Sequence, residues 1–480
     1  METSEKAAEP FLYEQVAAEI LELIRVGTLR PGERLPSVRR MSARWRVSIP
    51  TVLQAYRLLE ARRVIRARPR SGFYVQSPDR FRLPEPARTE PPAEAREVST
   101  ADLIVEFLEA AGDPALVPLG AAIPDAALLP VERLGRHLAR TVREASARAA
   151  VIATPSGCEE LRLEIARRAL EAGIRVGADD VVVTAGCSEA VALCLRALTR
   201  PGDAVAVESP AYFGTLQAIA ALGLRAVEVP TDPRTGLCVD ALDAVLARGG
   251  VAAVVVTPSA QNPTGAVMPE GARRALANVL ARHGVPAIED DTYGDLCFAD
   301  ARPRSLRAFD RAGLVLTCGS FSKTLAPAYR VGWVIPGRWR GAVLRLKAAS
   351  TQSTATPVQL ALAAYLRAGG YDHHLRRLRR TFQQNLVRLR YEVAARFPAG
   401  TRLTAPGGGF VLWAELPPGT DAVALYRRAL ERGISTAPGP VFSATGSYGN
   451  CLRLSAGHPW SERTDAALAT LAALAHGARA

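Results

Sequence analysis

Ser320-Phe321-Ser322-Lys323-Thr324-Leu325-Ala326-Pro327-Ala328-Tyr329-Arg330-Val331-Gly332-Trp333 is the run on which the reading of this chain turns. One lysine stands among hydroxyl side chains, with an arginine seven residues further on. A lysine amine condenses with an aldehyde, while neighbouring hydroxyls and a guanidinium hold a phosphate. Pyridoxal phosphate carries both groups on one ring. The run follows Val315-Leu316-Thr317, a short apolar stretch with strand character. The lysine is thereby expected at a strand-to-loop junction, where α/β sheets place ligands.

Working outward, short apolar runs alternate with helical spacing from about residue 103. The runs are Val181-Val182-Val183, Ala204 to Val207, Ala226 to Val229, Val251 to Thr257, Ala287 to Asp290, Val315 to Thr317 and Gly332 to Ile335. Helical patterns such as Ser188–Leu198 and Gly271–His283 lie between them. Such alternation predicts an α/β domain over 103–480 with a mostly parallel sheet in a large lobe of about 120–360. From about Tyr371 an Arg-rich amphipathic helix, strand-like Gly409 to Glu415 and Arg453-Leu454-Ser455, and a closing helix predict a smaller α+β lobe over about 371–480.

Pyridoxal phosphate needs more than a lysine: a carboxylate at the pyridine nitrogen, a donor at the phenolic oxygen, a flat group against the ring and donors for the phosphate. Thr184-Ala185-Gly186-Cys187-Ser188-Glu189 follows a strand and opens a helix, whose first N–H groups suit a phosphate; such a run is otherwise a simple turn. Tyr212, in Ser209-Pro210-Ala211-Tyr212, offers a ring, or is a core tyrosine. Asn262, in Gln261-Asn262-Pro263-Thr264-Gly265, offers an amide, or marks a turn. Asp290 ends an apolar strand, with Tyr293 three residues on.

Taken together and in order, these residues resemble the fold-type I pyridoxal phosphate enzymes, the aspartate aminotransferase superfamily, over roughly residues 110–475. The resemblance implies that Lys323 holds the cofactor aldehyde and Asp290 the ring nitrogen. It gives the phenolic oxygen to Asn262 and Tyr293 and ring stacking to Tyr212. The phosphate goes to Gly186, Cys187, Ser188, Ser320, Ser322 and Arg330. Lys323, Asp290 and Tyr293 are the implied catalytic set. Arg453, in Cys451-Leu452-Arg453-Leu454-Ser455, matches the arginine that takes a substrate or effector carboxylate; a structural ion pair is the other reading. Two positions depart: Ile152 stands where many relatives carry a tyrosine that reaches across to a second subunit's phosphate, and Ser188 replaces a common glutamine.

The other end of the chain is different in kind. Of a net charge of +13, +12 lies between Arg25 and Arg82, where 15 arginines face three acids. Such a stretch suits a polyanion, nucleic acid above all, or is a solvated basic face. Val16, Ile20, Leu23 and Ile24 have helical spacing. Ser37 is placed to cap a second helix and Ser48 a third, with Pro50 in its first turn. Val64 to Arg68 and Gly72 to Val75 read as two strands joined by Pro69-Arg70-Ser71. Three helices and a hairpin make a winged helix-turn-helix. Leu35-Pro36-Ser37-Val38-Arg39, Val47 to Val52, Ala55 to Glu60 and Arg70 to Val75 resemble the GntR family of DNA-binding domains. The resemblance implies that Arg39, Ser48 and Thr51 face double-stranded DNA, with Arg70 and Gly72 at the wing. For Ser48 and Thr51, helix capping stands beside phosphate contact.

Residues 1–76 are thus read as a DNA-binding domain and 77–102, with Pro78, Pro84, Pro86, Pro91 and Pro92, as a semi-stiff linker of about 80 Å at full stretch. At 480 residues, two or three domains are expected. Seven cysteines without a Cys-x-x-Cys pair argue against a disulfide framework or a metal site and for a reducing cytoplasm. No apolar run reaches membrane-spanning length, and Met1 to Pro10 lacks a signal-peptide profile.

End to end, the plan resembles the MocR subfamily of bacterial transcriptional regulators. That resemblance implies a homodimer, often with the DNA-binding domain over the partner subunit. It further implies that an amine or amino acid, forming an external aldimine at the cofactor, alters DNA binding. Two other readings stay open: an active aminotransferase with a DNA-binding appendage, and a regulator that answers to pyridoxal phosphate itself.

Overall fold

The structure, a computed structural model, describes residues 11–25, 28–30, 32–61, 64–68, 71–76 and 83–477. Arg70, the 77–82 part of the expected linker and the first ten residues lie outside the described residues. The chain divides into two compact units, Met1–Leu83 with Gln384–Arg396, and Pro84–Gln383 with Phe397–Ala480.

In the first unit α1 (Leu12–Arg25), α2 (Val38–Trp45) and α3 (Ile49–Ala61) precede the hairpin of β1 (Ile65–Arg68) and β2 (Gly72–Val75). The antiparallel register sets Ile65 against Val75 and Arg68 against Gly72. Val16, Ile20, Met41, Val52, Tyr56, Leu59 and Ile65 are buried together, the face that the helical spacing predicts. Ser37 Oγ accepts from Arg40 N, and Ser48 Oγ accepts from Thr51 N at 3.3 Å, so both helix starts are capped as the sequence foretold. Tyr56 bridges the elements: its hydroxyl donates to the Pro36 carbonyl at 2.8 Å, and its ring meets the edge of Phe73.

The second unit is built on a nine-stranded sheet. Its strands are β3 (Ala95–Arg96), β5 (Val182–Thr184), β6 (Ala204–Ser209), β7 (Arg225–Asp232), β8 (Gly236–Leu237), β9 (Val251–Val256), β10 (Ala287–Asp290), β11 (Val315–Ser320) and β12 (Gly332–Ile335); β4 (Val117–Pro118) lies outside it. The order is β3-β7-β6-β9-β10-β11-β12-β5, with β8 on β7. From β7 to β11 the pairs are parallel, and β12 is antiparallel to both neighbours. Val205, Val207, Val254, Val255, Ile288 and Leu316 are buried, which explains why these strands read as unbroken apolar runs rather than alternating ones. The C-terminal lobe carries an antiparallel sheet, β13 (Arg402–Leu403), β14 (Val411–Glu415), β17 (Cys451–Ser455) and β16 (Ala437–Pro438), and the helix Glu462–His476. The short β15 (Ile434–Ser435) pairs with β4.

The Pro-rich stretch does not run free where it is described. The Pro84 carbonyl accepts from Leu403 N at 2.9 Å, Glu85 pairs with Arg234 at 2.6 Å, and Ala95–Arg96 adds a strand to β7. Thr89 is the tightest point: its hydroxyl donates to the Ser209 carbonyl at 2.6 Å and accepts from Thr231 N at 2.9 Å. Among the described residues no helix is long and apolar enough to cross a membrane.

Candidate functional site

Because β10 and β11 are parallel and adjacent, Asp290 pairs with Cys318 and the two strand ends deliver Asp290 and Ser320 to one rim. The helix Cys187–Leu198 starts at the same rim, after β5. Around this rim lies a cavity of about 220 Å³, lined by Lys323, Asp290, Tyr293, Asn262, Tyr212, Cys187, Ser188, Ser320, Ser322, Arg330 and Arg453. The eleventh cofactor candidate, Gly186, is not in the lining but directly precedes Cys187, which is.

The amine of Lys323 donates to the Ala122 carbonyl at 2.7 Å. Burial, aided by the positive charges of Arg453 and Arg330, lowers its pKa from 10.5 to about 8. At pH 7.5 roughly a quarter of such amines are neutral, against about one in a thousand at the ordinary value. A neutral amine is the form that attacks an aldehyde. Asp290 Oδ1 accepts from Thr292 N at 3.0 Å and from the Cys187 thiol at 3.4 Å, which fixes the carboxylate in place. The buried Tyr293 hydroxyl has no hydrogen-bond partner among the described residues, so a ligand oxygen beside it would satisfy an otherwise costly group.

The turn before Cys187 is held from several sides. Gly186 has φ +89°, and a Cβ there would run into the Arg330 guanidinium. Arg330 itself, with φ +50°, is in the left-handed region that non-glycine residues avoid, and its Nη2 donates to the Ala185 carbonyl at 3.3 Å. Glu189 braces the turn by accepting from Ala185 N. The start of this helix, Ser320, Ser322 and Arg330 thus gather the donors a phosphate requires.

Arg453 is the most enclosed charge of the site, 1% exposed. It donates from Nε and Nη2 to the Gly120 carbonyl and from Nη1 to Asn262 Oδ1 at 2.9 Å. The rings of Phe107, Phe213 and Phe442 lie 5.0–5.8 Å from its guanidinium carbon. Among the described residues it has no carboxylate within ion-pair distance. Burial pulls its pKa down from 12.5 to about 10. Asn262, assigned by resemblance to a phenolic oxygen, spends its amide oxygen on Arg453.

The cavity lining therefore holds Lys323, Arg330 and Arg453 against one carboxylate, Asp290. That imbalance favours a ligand bearing more than one negative charge. The residues present fit pyridoxal phosphate. Several contributors escaped sequence reasoning: the Gly120 and Ala122 carbonyls and Phe107, whose helix Ala101–Gly112 reads as an ordinary apolar one. Ile152 lies on the surface, 67% exposed, away from the cavity lining.

On the first unit, Arg39 is exposed on α2, and Ser48 and Thr51 open α3 with their hydroxyls 2.7 Å apart. Gly72 starts β2 with φ +103°, and a side chain there would press on the Arg34 guanidinium, an exposed arginine that the sequence did not single out.

Comparison with known proteins agrees with this layout. The family model "Aminotransferase class I and II" matches residues 117–470, and "Bacterial regulatory proteins, gntR family" matches 12–75. The HTH-type transcriptional regulators YjiR and YdcR of Escherichia coli are each 39% identical, over 94% and 96% of this chain and 96% and 98% of theirs. Among solved structures, LysN, the alpha-aminoadipate aminotransferase of Thermus thermophilus complexed with N-(5'-phosphopyridoxyl)-L-leucine, superposes with a TM-score of 0.72 at 31% identity, covering 78% of this chain and 94% of that one. The chain belongs to the aminotransferase class I and II family and joins to that fold a GntR-type DNA-binding domain, the two-part arrangement of the MocR subfamily of transcriptional regulators.

Proposed function

We propose that this regulator binds pyridoxal phosphate at Lys323 and that an amino acid or related carboxylate-bearing amine, taken up beside it, alters DNA binding by the N-terminal domain. The observation that carries the reading is Arg453: a buried guanidinium with carbonyl and amide partners but no acid among the described residues, opening on the same cavity as the Lys323 amine. A planar fork of this kind is matched to a carboxylate.

In this reading Gly186, Cys187, Ser188, Ser320, Ser322 and Arg330 hold the phosphate. Asp290 faces the ring nitrogen, Tyr212 lies against the ring, and Asn262 and Tyr293 serve the phenolic oxygen. When bound, the cofactor supplies an aldehyde that an incoming amine can take over from Lys323. Arg453 orients that amine through its carboxylate, and the walls of Phe107 and Phe213 exclude water from the exchange. For DNA to respond, the amine must bind the two regulator states unequally. DNA is met through Arg39, Ser48, Thr51, Arg70 and Gly72. Two copies of the chain act together in the cytoplasm on paired half-sites; the exposed Val151 and Ile152 support such pairing.

Footprinting on a DNA fragment selected for binding tests the proposal, using the parent chain and Lys323→Ala with and without pyridoxal phosphate and a panel of amino acids. If neither cofactor, amine nor mutation changes affinity or footprint, the reading is wrong. A response to pyridoxal phosphate without any amine would mark the cofactor itself as the signal. The amine of Lys323, partly neutral near pH 8, also favours a second reading, transamination. Turnover with 2-oxoglutarate at about 1 s⁻¹ or faster would establish that.

A further inference from the structure

A second cavity, of about 410 Å³, has in its lining His374, whose ring is bonded to the Thr324 carbonyl beside Lys323. It is lined by Arg133, Tyr365, His373, His374 and Arg377, with Glu132 as its single carboxylate. Two helices begin at it, Val131–Glu144 and Tyr371–Arg396, and a helix start favours anions. Neither arginine has a carboxylate partner among the described residues. Arg133 Nη2 reaches the Gly369 carbonyl and Arg377 Nη2 the Leu128 carbonyl, each only at 3.4 Å.

The lining of this cavity includes two buried polar groups without hydrogen-bond partners among the described residues. His374 is 4% exposed and its Nδ1 is unpaired; Tyr365 is fully buried and its hydroxyl is unpaired. Leaving such groups unmatched costs about 1–3 kcal/mol each, and they lie beside two arginines that have carbonyl acceptors, and for Arg133 the Tyr365 ring, but no carboxylate among the described residues, so the oxygens of an anion would satisfy both sets. His374 also has a defined connection. Its Nε2 lies 2.7 Å from the Thr324 carbonyl, which can only accept, so Nε2 carries the proton. Nδ1 therefore accepts from an acidic O–H, or donates once the ring is protonated. Burial, with Arg377 and Arg133 close by, keeps the ring neutral below its ordinary pKa, and an anion between those arginines would offset their charge. Tyr371 meets the same residue, its hydroxyl donating to Thr324 Oγ1 at 2.8 Å.

We infer that this cavity is a second ligand site, for a small organic phosphate, held by Arg133 and Arg377 over His374 and Tyr365. Two arginines and a hydrogen-bonding lining suit the several oxygens of a phosphate monoester. The volume, roughly a dozen waters, leaves space for an organic part. Occupation reaches Lys323 in one step, through His374 and the Thr324 carbonyl next to it. The site is separate from the Lys323 cavity, and its existence does not rest on the function proposed above.

Calorimetric titration of the full chain with glycerol 3-phosphate tests this, with succinate as the dicarboxylate arm. Arg133→Ala and Arg377→Ala are each expected to weaken glycerol 3-phosphate at least about tenfold, roughly 1.4 kcal/mol. Arg330→Ala is expected to affect only binding at the phosphate donors of the first cavity and to leave the binding that depends on Arg133 and Arg377 unchanged. His374→Gln reports on the buried lining: in cofactor-loaded protein, glycerol 3-phosphate shifts the visible absorption of the parent chain and not of this variant. The inference falls if no saturable binding occurs at millimolar ligand, or if the Arg133 and Arg377 variants bind as the parent does. It falls equally if Arg330→Ala removes the binding, which would place it at the first cavity, or if succinate binds more tightly.

Discussion

Replacing Lys323 by methionine should stabilise the cofactor-free protein near neutral pH, although it removes the residue on which the proposed function depends. Burial lowers the Lys323 pKa from 10.5 to about 8, so between those values the unfolded chain binds more protons than the folded one. Stability contributed at this position therefore rises with pH across that window, and below about pH 8 the folded state bears the whole penalty. A shift of this size corresponds to about 3 kcal/mol, and the partial access of the side chain to the cavity reduces it to about 2 kcal/mol. Methionine also loses the hydrogen bond to the Ala122 carbonyl, worth about 1 kcal/mol. Lys323→Met is thus expected to gain about 1 kcal/mol at pH 7 and to lose that advantage above about pH 10. Urea unfolding of both proteins without pyridoxal phosphate, followed by circular dichroism at both pH values, measures the difference. An Lys323→Met protein no more stable than its parent at pH 7, or equally favoured at pH 10, would refute the reasoning.

Three further outcomes are expected. Arg453→Lys keeps a charge but loses the fork, so the effect of amino acids on DNA binding should weaken by about tenfold or more while the visible absorption of bound pyridoxal phosphate persists. Gly186→Ala places a Cβ against Arg330 at φ +89°, and pyridoxal phosphate affinity, read by fluorescence titration, should fall by about 1–2 kcal/mol. Arg39→Ala should weaken DNA binding on all sequences alike and flatten the salt dependence measured by anisotropy by about one counterion.

How much was legible in the sequence follows from how local the determinants are. Ser37 and Ser48 cap their helices through bonds three residues long, and the hairpin register follows from a short turn, so the winged helix could be read directly. Lys323, Asp290 and the Gly186 turn are likewise fixed by strand ends and the chain just after them. Arg453 was visible as a residue, but its surroundings were not. Gly120 lies 333 positions away, and Phe107 comes from a helix whose apolar pattern serves the core and the cavity alike. Proline content marked residues 77–102 as an extended linker, of which Ala101 and Asp102 instead open the helix Ala101–Gly112, and no local pattern announces that Thr89 bonds across 120 and 142 positions. The second cavity was equally hidden, because Arg133 and Arg377 read as solvated charges on amphipathic helices.

The Thr89 clasp has a mechanical meaning. Its hydroxyl grips the Ser209 carbonyl, three residues before Tyr212, while its neighbours are bonded to β7 and the C-terminal lobe. Tension entering the extended stretch from its N-terminal end is borne first by the Pro84 and Glu85 bonds and next at Thr89. The turn carrying Tyr212 is thereby the part of the cavity wall that takes up load. Load carried along this stretch would thus arrive three residues from a ring that lines the cavity.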